Sequence, residues 1–231
     1  MSRREDIGRF YNLMGQLERQ LGGKRMLNQC NGRMNWPQRG VYFFFEEGEL
    51  RENGEPRVTR VGTHALKTAS KTTLWHRLST HQGTIGGSRP GGGNHRGSVF
   101  RLHVGTAIIE RDGLSSETWS VGSSAKRPIT DMEYPVEKLV SQHIGRMPFL
   151  WVGVDDAPGP ESMRGYIERN AIGLLSNYGK SERVDSQSSG WLGNFAKNDK
   201  IRLSGLWNVN HVEESYGREF LSELERYVEG M

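Results

Sequence analysis

Apolar side chains recur at the three- and four-residue spacing of a helix in two long stretches of the chain. In residues 7–21 the periodic positions are followed by Gly22 and Gly23, which is typical of a helix that ends at a glycine. Residues 160–176 show the same period after a proline and predict a second long helix. Shorter helices are predicted over residues 72–81, 135–145 (beginning at Pro135) and 214–227, whereas residues 98–109 fit either a helix or a strand.

Three short runs rich in aromatic and β-branched residues predict strands. Residues 40–47 (GVYFFFEE) and 57–64 (RVTRVGTH) are separated by the turn residues Asn53 and Gly54, so we expect an antiparallel hairpin. Residues 149–154 predict a third strand, which is buried. The order of elements predicts an α/β (α+β) fold in which a small three-stranded antiparallel sheet is flanked by helices.

Turn-forming and glycine-rich stretches along the chain also suggest its domain organisation. We expect a core domain over residues 38–178 that contains a basic, glycine-rich insertion at about 82–130. Residues 1–37 and 179–231 are then helical extensions at the two ends.

The composition of the 231 residues excludes two classes of protein. Hydrophobic residues make up 34% of the chain and the mean hydropathy is −0.68, which is enough apolar material for a core and excludes intrinsic disorder. The longest apolar runs are strand-sized, so no membrane span is expected. Because the N-terminus lacks the apolar stretch of a signal peptide and Cys30 is the single cysteine, we expect a cytoplasmic protein without disulfides.

Charge is distributed unevenly along the chain, although the net charge is only +4. Residues 57–109 contain no Asp or Glu and carry eight basic residues. Such a block has the electrostatic pattern of a nucleic-acid or polyphosphate site, and a solvated basic face without a partner is the alternative. The residues expected to contact nucleic acid are Lys67, Lys71, Arg89, Arg96 and Arg101.

Four short motifs occur in a fixed order on these predicted elements. Residues 40–42 (GVY) open the first strand, residues 60–62 (RVG) end the second, Arg77 and His81 lie four apart on the next helix, and Glu168 lies on the late helix. This set resembles the GIY-YIG nuclease superfamily over roughly residues 38–178. The chain departs from that pattern in having arginine where the second motif usually has tyrosine, and in the long insertion.

The resemblance implies a role for each of these residues, and phosphodiester hydrolysis explains why such residue types are needed. Tyr42 is expected to act as the general base, and Arg77 to hold phosphate oxygens with its planar guanidinium. His81 would relay a proton or position the attacking water, and Arg60 would supply a supporting positive charge. Glu168 would bind Mg²⁺ (or Mn²⁺), with waters and substrate oxygens completing the coordination shell.

Other interpretations of the same residues remain open at this point. Tyr42 in an aromatic strand is ordinarily part of a core, and Arg77 with His81 is also consistent with a solvated helical pair. Glu168, four residues after Arg164, is also at the spacing of a surface ion pair. The late asparagine of the family is assigned to Asn177 as a supporting residue, with competition from Asn170, Asn208 and Asn210.

Together these features predict a Mg²⁺-dependent endonuclease that hydrolyses double-stranded DNA, in a restriction-like or defence role. The extensions show no zinc-finger spacing and no helix-turn-helix, so the insertion itself is expected to contact DNA. Cutting both strands with one site per chain would require a homodimer, for which the N-terminal helix is the candidate interface. The alternatives are a catalytically inactive nucleic-acid-binding module and a structure-selective DNA repair nuclease.

Overall fold

A four-stranded antiparallel sheet forms the centre of the protein. In the computed structural model, which describes residues 2–231, the strands are β1 (Arg25–Met26), β2 (Gly40–Leu50), β3 (Pro56–Gly62) and β4 (Pro148–Gly153). Their order in the sheet is β1-β4-β2-β3. The α/β class is confirmed, but the expected three strands are four, because β1 is only two residues long and shows no alternation that a sequence pattern could reveal.

Seven α-helices surround this sheet within residues 2–231. They are α1 (Arg3–Leu21), α2 (Leu74–Gln82), α3 (Val99–Asp112), α4 (Arg127–Gly145), α5 (Met163–Leu175), α6 (Asp199–Ser204) and α7 (Glu219–Glu229). Hydroxyl N-caps start four of them: Ser2 caps α1, Thr73 caps α2, Ser98 caps α3 and Ser162 caps α5. Residues 98–109, which fitted either a helix or a strand, belong to α3.

Two predicted helix starts were wrong. Helix α4 begins at Arg127, eight residues before the predicted start at Pro135, which lies inside the helix. The reason is that Pro128, in the first turn of α4, is the proline that fits a helix start. Helix α7 begins at Glu219 rather than at residue 214.

The hairpin of β2 and β3 contains a bulge that sorts its side chains between the two faces of the sheet. Phe44 pairs with Arg60 and the next residue of β2, Phe45, pairs with Val58, so Thr59 is the extra residue of β3. Val58 and Val61 consequently both belong to the core on one face. Arg60 lies on the opposite face, against the ring of Phe100.

A separate hydrophobic core covers each face of the sheet. Helices α1, α5 and α7 cover the face of Val41, Phe43 and Leu150, and α2, α3 and α4 cover the face of Tyr42 and Phe44. Both terminal helices therefore share a core with the central strands. Whether residues 38–178 form a domain of their own stays a prediction.

The apolar side of α1 is buried inside the chain. Ile7, Phe10 and Leu17 are at most 1% exposed and pack in the same core as α5 and α7. The proposal that α1 forms a homodimer interface is therefore not supported, because the face it would use is already covered. No helix among residues 2–231 is long and apolar enough to cross a membrane.

Candidate active site

Two glycines of the hairpin occupy positions where any side chain would collide with a neighbour. A Cβ atom on Gly62 would lie 2.3 Å from Oη and 2.4 Å from Cζ of Tyr42, the residue paired with it on β2. A Cβ atom on Gly40 would lie 2.4 Å from the carbonyl oxygen of Val152 on β4. Both positions therefore require glycine, and Gly62 lets the Tyr42 ring lie against the backbone of β3.

The phenol of Tyr42 is hydrogen-bonded to the helix that follows the hairpin. Its Oη lies 2.8 Å from Nε2 of His81 on α2. The other ring nitrogen of His81, Nδ1, lies 2.8 Å from Oγ of Ser98 at the start of α3. Tyr42 and His81 have no exposed surface, and Ser98 is 1% exposed, so this chain of three polar groups is enclosed in the protein.

His81 is a neutral imidazole at pH 7. Burial lowers the pKa of His81 well below its ordinary value, and the positive charges of Arg77, Arg60 and Arg101 act in the same direction. A neutral ring has one donor nitrogen and one acceptor nitrogen, so its two hydrogen bonds run in opposite senses.

Two arginines approach the same place with part of their hydrogen-bonding capacity unused. Arg60 donates through Nη1 to the carbonyl oxygen of Trp207 over 2.8 Å, and its guanidinium lies 4.5 Å from the centre of the Phe100 ring. Nε of Arg60 and Nε of Arg77 are buried and have no hydrogen-bond partner. Buried donors of this kind are expensive to leave unpaired, so a movement that brings them to an anionic acceptor would be favourable.

A cleft of about 520 Å³ opens in front of these arginines. Arg60, Arg77 and Lys67 line it together with Glu168 of α5. Oε1 of Glu168 accepts a 3.1 Å hydrogen bond from the backbone amide of Thr63, which fixes the carboxylate at the end of β3. The cleft therefore combines several cations with one oriented carboxylate.

Burial raises the pKa of Glu168 even though part of its side chain faces the cleft. The charges of Arg60 and His211 and the amide of Thr63 oppose this shift. Among residues 2–231 no three His, Cys, Asp or Glu side chains converge as metal ligands. A cation at Glu168 would accordingly take most of its ligands from water and substrate.

The predicted residues thus form two layers rather than one open site. Arg60, Arg77 and Glu168 line the cleft, whereas Tyr42 and His81 do not reach its surface. The layers touch at β3, since the phenol lies against Gly62 and the next amide along the chain holds Glu168. A water molecule in the cleft cannot reach the phenol oxygen in this conformation.

Comparison with known proteins identifies the family. A family model for the GIY-YIG domain matches residues 1–231, the whole chain. This chain belongs to the GIY-YIG domain family. No curated protein and no solved structure matches it. GIY-YIG domains are generally endonucleases, which agrees with a cleft that combines arginines and a carboxylate.

The alternative ion pair between Glu168 and Arg164 does not form in this GIY-YIG protein. Arg164 instead pairs through Nε with Asp156 and donates through Nη1 to the carbonyl oxygen of His64. Glu168 has no ion-pair partner among residues 2–231. Its carboxylate is therefore left to the cleft.

Asn177, the predicted supporting asparagine, lies outside the cleft. Its side chain exchanges two hydrogen bonds with the backbone of Val184, at 3.0 and 3.1 Å, and accepts a third from Arg3. These contacts hold the segment after α5 in place and exclude Asn177 from the site. The asparagines that line the cleft are Asn208 and Asn210, two of the competing candidates.

Sequence reasoning missed the contribution of the C-terminal segment to the site. Trp207 donates its backbone amide to Thr59, and Asn208 exchanges two hydrogen bonds with the backbone of Val61, so this segment covers the free edge of β3. It brings His211, whose Nδ1 lies 2.6 Å from Glu214 Oε1, to the rim of the cleft. No local signal indicated this, because the segment lies about 150 residues from β3 along the chain.

The basic block of residues 57–109 is half neutralised by acidic residues from elsewhere in the chain. Four of its eight cations form ion pairs: Arg57 with Glu49, Arg89 with Asp131, Arg96 with Glu133 and Arg101 with Glu137. Arg101 is fully buried, and the side chain of Arg96 is 5% exposed. We therefore correct the prediction that Arg96 and Arg101 contact nucleic acid, because their guanidiniums are held inside the insertion. Arg89 is also paired, although less deeply.

The four remaining cations of the block have no carboxylate partner among residues 2–231. These are Arg60, Lys67, Lys71 and Arg77. Arg60, Lys67 and Arg77 line the cleft. Lys71 is exposed in the segment between β3 and α2 that also carries Lys67. The unneutralised charge of the block is consequently concentrated around the candidate active site.

Proposed function

We propose that this GIY-YIG protein is a Mg²⁺-dependent endonuclease that hydrolyses phosphodiester bonds of double-stranded DNA. The observation that carries the proposal is the cleft itself, in which Arg60, Lys67 and Arg77 lack carboxylate partners and face the carboxylate of Glu168. A phosphodiester provides the negative charge and the acceptor oxygens that these cations need.

The two arginines bind and polarise the phosphate. Arg77 on α2 and Arg60 on β3 present guanidinium donors from two sides of the cleft, and each has a buried Nε without a partner. Rigid donors of this kind stabilise the charge that develops on phosphoryl oxygens in the transition state. Arg60 thus takes the position of the second-motif tyrosine and contributes charge instead of a hydroxyl.

The donor set at Glu168 fits one hard divalent cation. Oε1 is oriented by the Thr63 amide, and Oε2 has no hydrogen-bond partner among residues 2–231. Glu168 would hold Mg²⁺ or Mn²⁺ together with waters and phosphate oxygens. When bound, the ion would stabilise negative charge on the phosphate and the leaving oxygen.

Tyr42 serves as the general base, with His81 hydrogen-bonded to its oxygen. Because the phenol is buried, a group next to it has to move before water can reach it, and Arg60, which lines the cleft and interacts with Tyr42, is the candidate. A phosphate bound in the cleft offers the guanidinium a charged acceptor in place of the Trp207 carbonyl oxygen, to which it now donates. Binding of substrate would therefore also open the path to the base.

Cleavage of supercoiled plasmid in the presence of Mg²⁺ tests this function. Wild-type protein should nick the plasmid, Glu168→Gln should not, and both should bind a labelled duplex equally in EDTA. Glu161→Gln, which changes an exposed glutamate just before α5, is the matched control and should cut like wild type. Wild-type binding without nicking would instead indicate an inactive nucleic-acid-binding module, and nicking that is indifferent to Glu168→Gln would contradict the proposed site.

The biological role proposed with this activity is restriction-like or defence-related. The support is that the C-terminal segment, through residues 207–211, lines the cleft together with Val99 of the insertion and so could read the DNA that enters it. A restriction-like enzyme should cut unmodified DNA into discrete fragments. Preference for branched over linear duplexes would favour a structure-selective repair nuclease.

A further inference from the structure

The hydroxyl of Ser98 makes two hydrogen bonds of different kinds. Ser98 is the N-cap of α3, and its Oγ accepts from the backbone amide of Arg101 over 3.2 Å. The same oxygen lies 2.8 Å from Nδ1 of His81. Capping requires only the first contact, so the second has to be explained separately.

The second bond can run in either sense, and the two senses leave different hydrogens unpaired. The Arg101 amide can only donate, so Ser98 Oγ is the acceptor there. The single hydrogen of the hydroxyl then has one other partner among residues 2–231, Nδ1 of His81. Because Ser98 is buried, leaving that hydrogen unpaired would be costly. If Ser98 donates to Nδ1, Nε2 carries the ring hydrogen, and the hydrogen without a partner is that of the Tyr42 phenol, which a general base has to lose. The opposite tautomer pairs the phenol hydrogen with Nε2 and leaves the Ser98 hydrogen unpaired, so the first arrangement is the one that suits catalysis.

We propose that Ser98 is a positioning residue that fixes neutral His81 as the Nε2–H tautomer, so that His81 donates a hydrogen bond to the phenol oxygen of Tyr42. This inference rests on the proposed function for its catalytic meaning, whereas the tautomer itself is a property of the folded protein. It replaces the two roles first expected for His81, proton relay and positioning of the attacking water, with a third. The phenol loses its proton to water once substrate binding opens the path to it, and the ring stabilises the resulting phenolate as a hydrogen-bond donor instead of taking that proton.

The electrostatic surroundings of His81 agree with this role. Taking the phenol proton would make the ring an imidazolium, in a buried place that already contains the charges of Arg60, Arg77 and Arg101. Arg60, whose charge also interacts with Tyr42, would stabilise negative charge that develops on the Tyr42 oxygen during the reaction. A neutral donor next to that oxygen therefore suits the site better than a base.

Nitrogen-15 NMR of histidine-labelled protein measures the tautomer directly, without any substrate. The His81 signals are assigned through their contacts with the Tyr42 ring. The expected result is a protonated Nε2 and an unprotonated Nδ1 in the wild-type protein. A protonated Nδ1 would overturn the proposal.

Three substitutions of Ser98 separate the tautomer from the cap. Ser98→Thr keeps the cap and the hydroxyl donor, and the extended backbone of this residue suits threonine, so both tautomer and cleavage should persist. Ser98→Asp keeps a good cap but can only accept, so the hydrogen should move to Nδ1. Ser98→Ala removes both contacts.

Single-turnover cleavage then links the tautomer to catalysis. Because the wrong tautomer disables a catalytic histidine, Ser98→Asp should cleave at least about tenfold more slowly than Ser98→Thr, at equal DNA affinity. Equal rates for the two variants, with the tautomer reversed in one, would refute the positioning role. If the wild-type protein shows the Nε2–H tautomer but cuts no DNA, the proposed function fails and the tautomer assignment is supported.

Discussion

The contact between Gly62 and Tyr42 allows a quantitative prediction for Gly62→Ala. The new Cβ would lie 2.4 Å from Cζ of a fully buried ring, whereas ordinary contacts begin at 3.4 Å, so the ring has to move by roughly 1 Å. Such a shift breaks the 2.8 Å hydrogen bond to His81. Overpacking and a lost buried hydrogen bond together should destabilise the protein by about 3 kcal/mol. For a chain of this length the melting temperature should fall by roughly 6–12 °C.

Differential scanning calorimetry measures this change, and Gly8→Ala is the control. Gly8 lies in α1, and a Cβ atom added there would have no neighbouring atom within 4 Å, so the same substitution should stabilise the helix by up to about 1 kcal/mol. The Gly62→Ala protein that remains folded should also lose most cleavage activity. An unchanged melting temperature together with full activity would show that the phenol does not lie against Gly62.

Three further predictions concern charge in and around the cleft. Lys67→Ala should weaken DNA binding and lower the salt slope of the affinity by about 1. By contrast, Arg101→Ala leaves Oε2 of Glu137 without a donor, while Oε1 keeps its contacts with His95, and should cost about 3–5 kcal/mol of stability in urea without changing the DNA affinity of the folded protein. Burial lowers the pKa of His64 to about 4, so protonation of this side chain favours the unfolded state. The stability that the neutral ring contributes is complete above pH 6.5, and about 3 kcal/mol of it should be lost by pH 4. Urea titrations of the wild-type protein should show this loss, and those of His64→Gln should not. Arg77→Lys keeps the charge but loses the planar fork, so it should bind DNA normally and cleave at least about tenfold more slowly in single-turnover assays; equal rates would mean that charge alone suffices.

The sequence was sufficient to locate most parts of the site because those parts are local. Glycine at positions 40 and 62 marks close backbone approaches, and the four-residue spacing of Arg77 and His81 places them on one side of α2. Glu168 was found because residues 160–176 show the period of a helix and the family resemblance places a glutamate on that helix.

Long-range contacts explain what the sequence could not provide. The basic block of residues 57–109 contains no acidic residue of its own, yet Glu133 and Glu137 of α4 neutralise Arg96 and Arg101 from more than 30 residues further along the chain. The segment that brings His211 to the cleft docks on β3 from about 150 residues further along the chain. Periodicity and spacing describe single elements, so they do not reveal which elements meet.

Single-turnover cleavage of a duplex by Tyr42→Phe in Mg²⁺ tests the central claim most directly. The substitution removes one buried hydroxyl, and Tyr11→Phe is the matched control, because Tyr11 is also a buried phenol that accepts a hydrogen bond from Val58 on the other face of the sheet. If Tyr42 is the general base, its variant should cleave about 10²- to 10⁴-fold more slowly while Tyr11→Phe, once folded, cleaves like wild type. Cleavage by Tyr42→Phe within about twofold of the wild-type rate, far below the predicted reduction, would contradict the account.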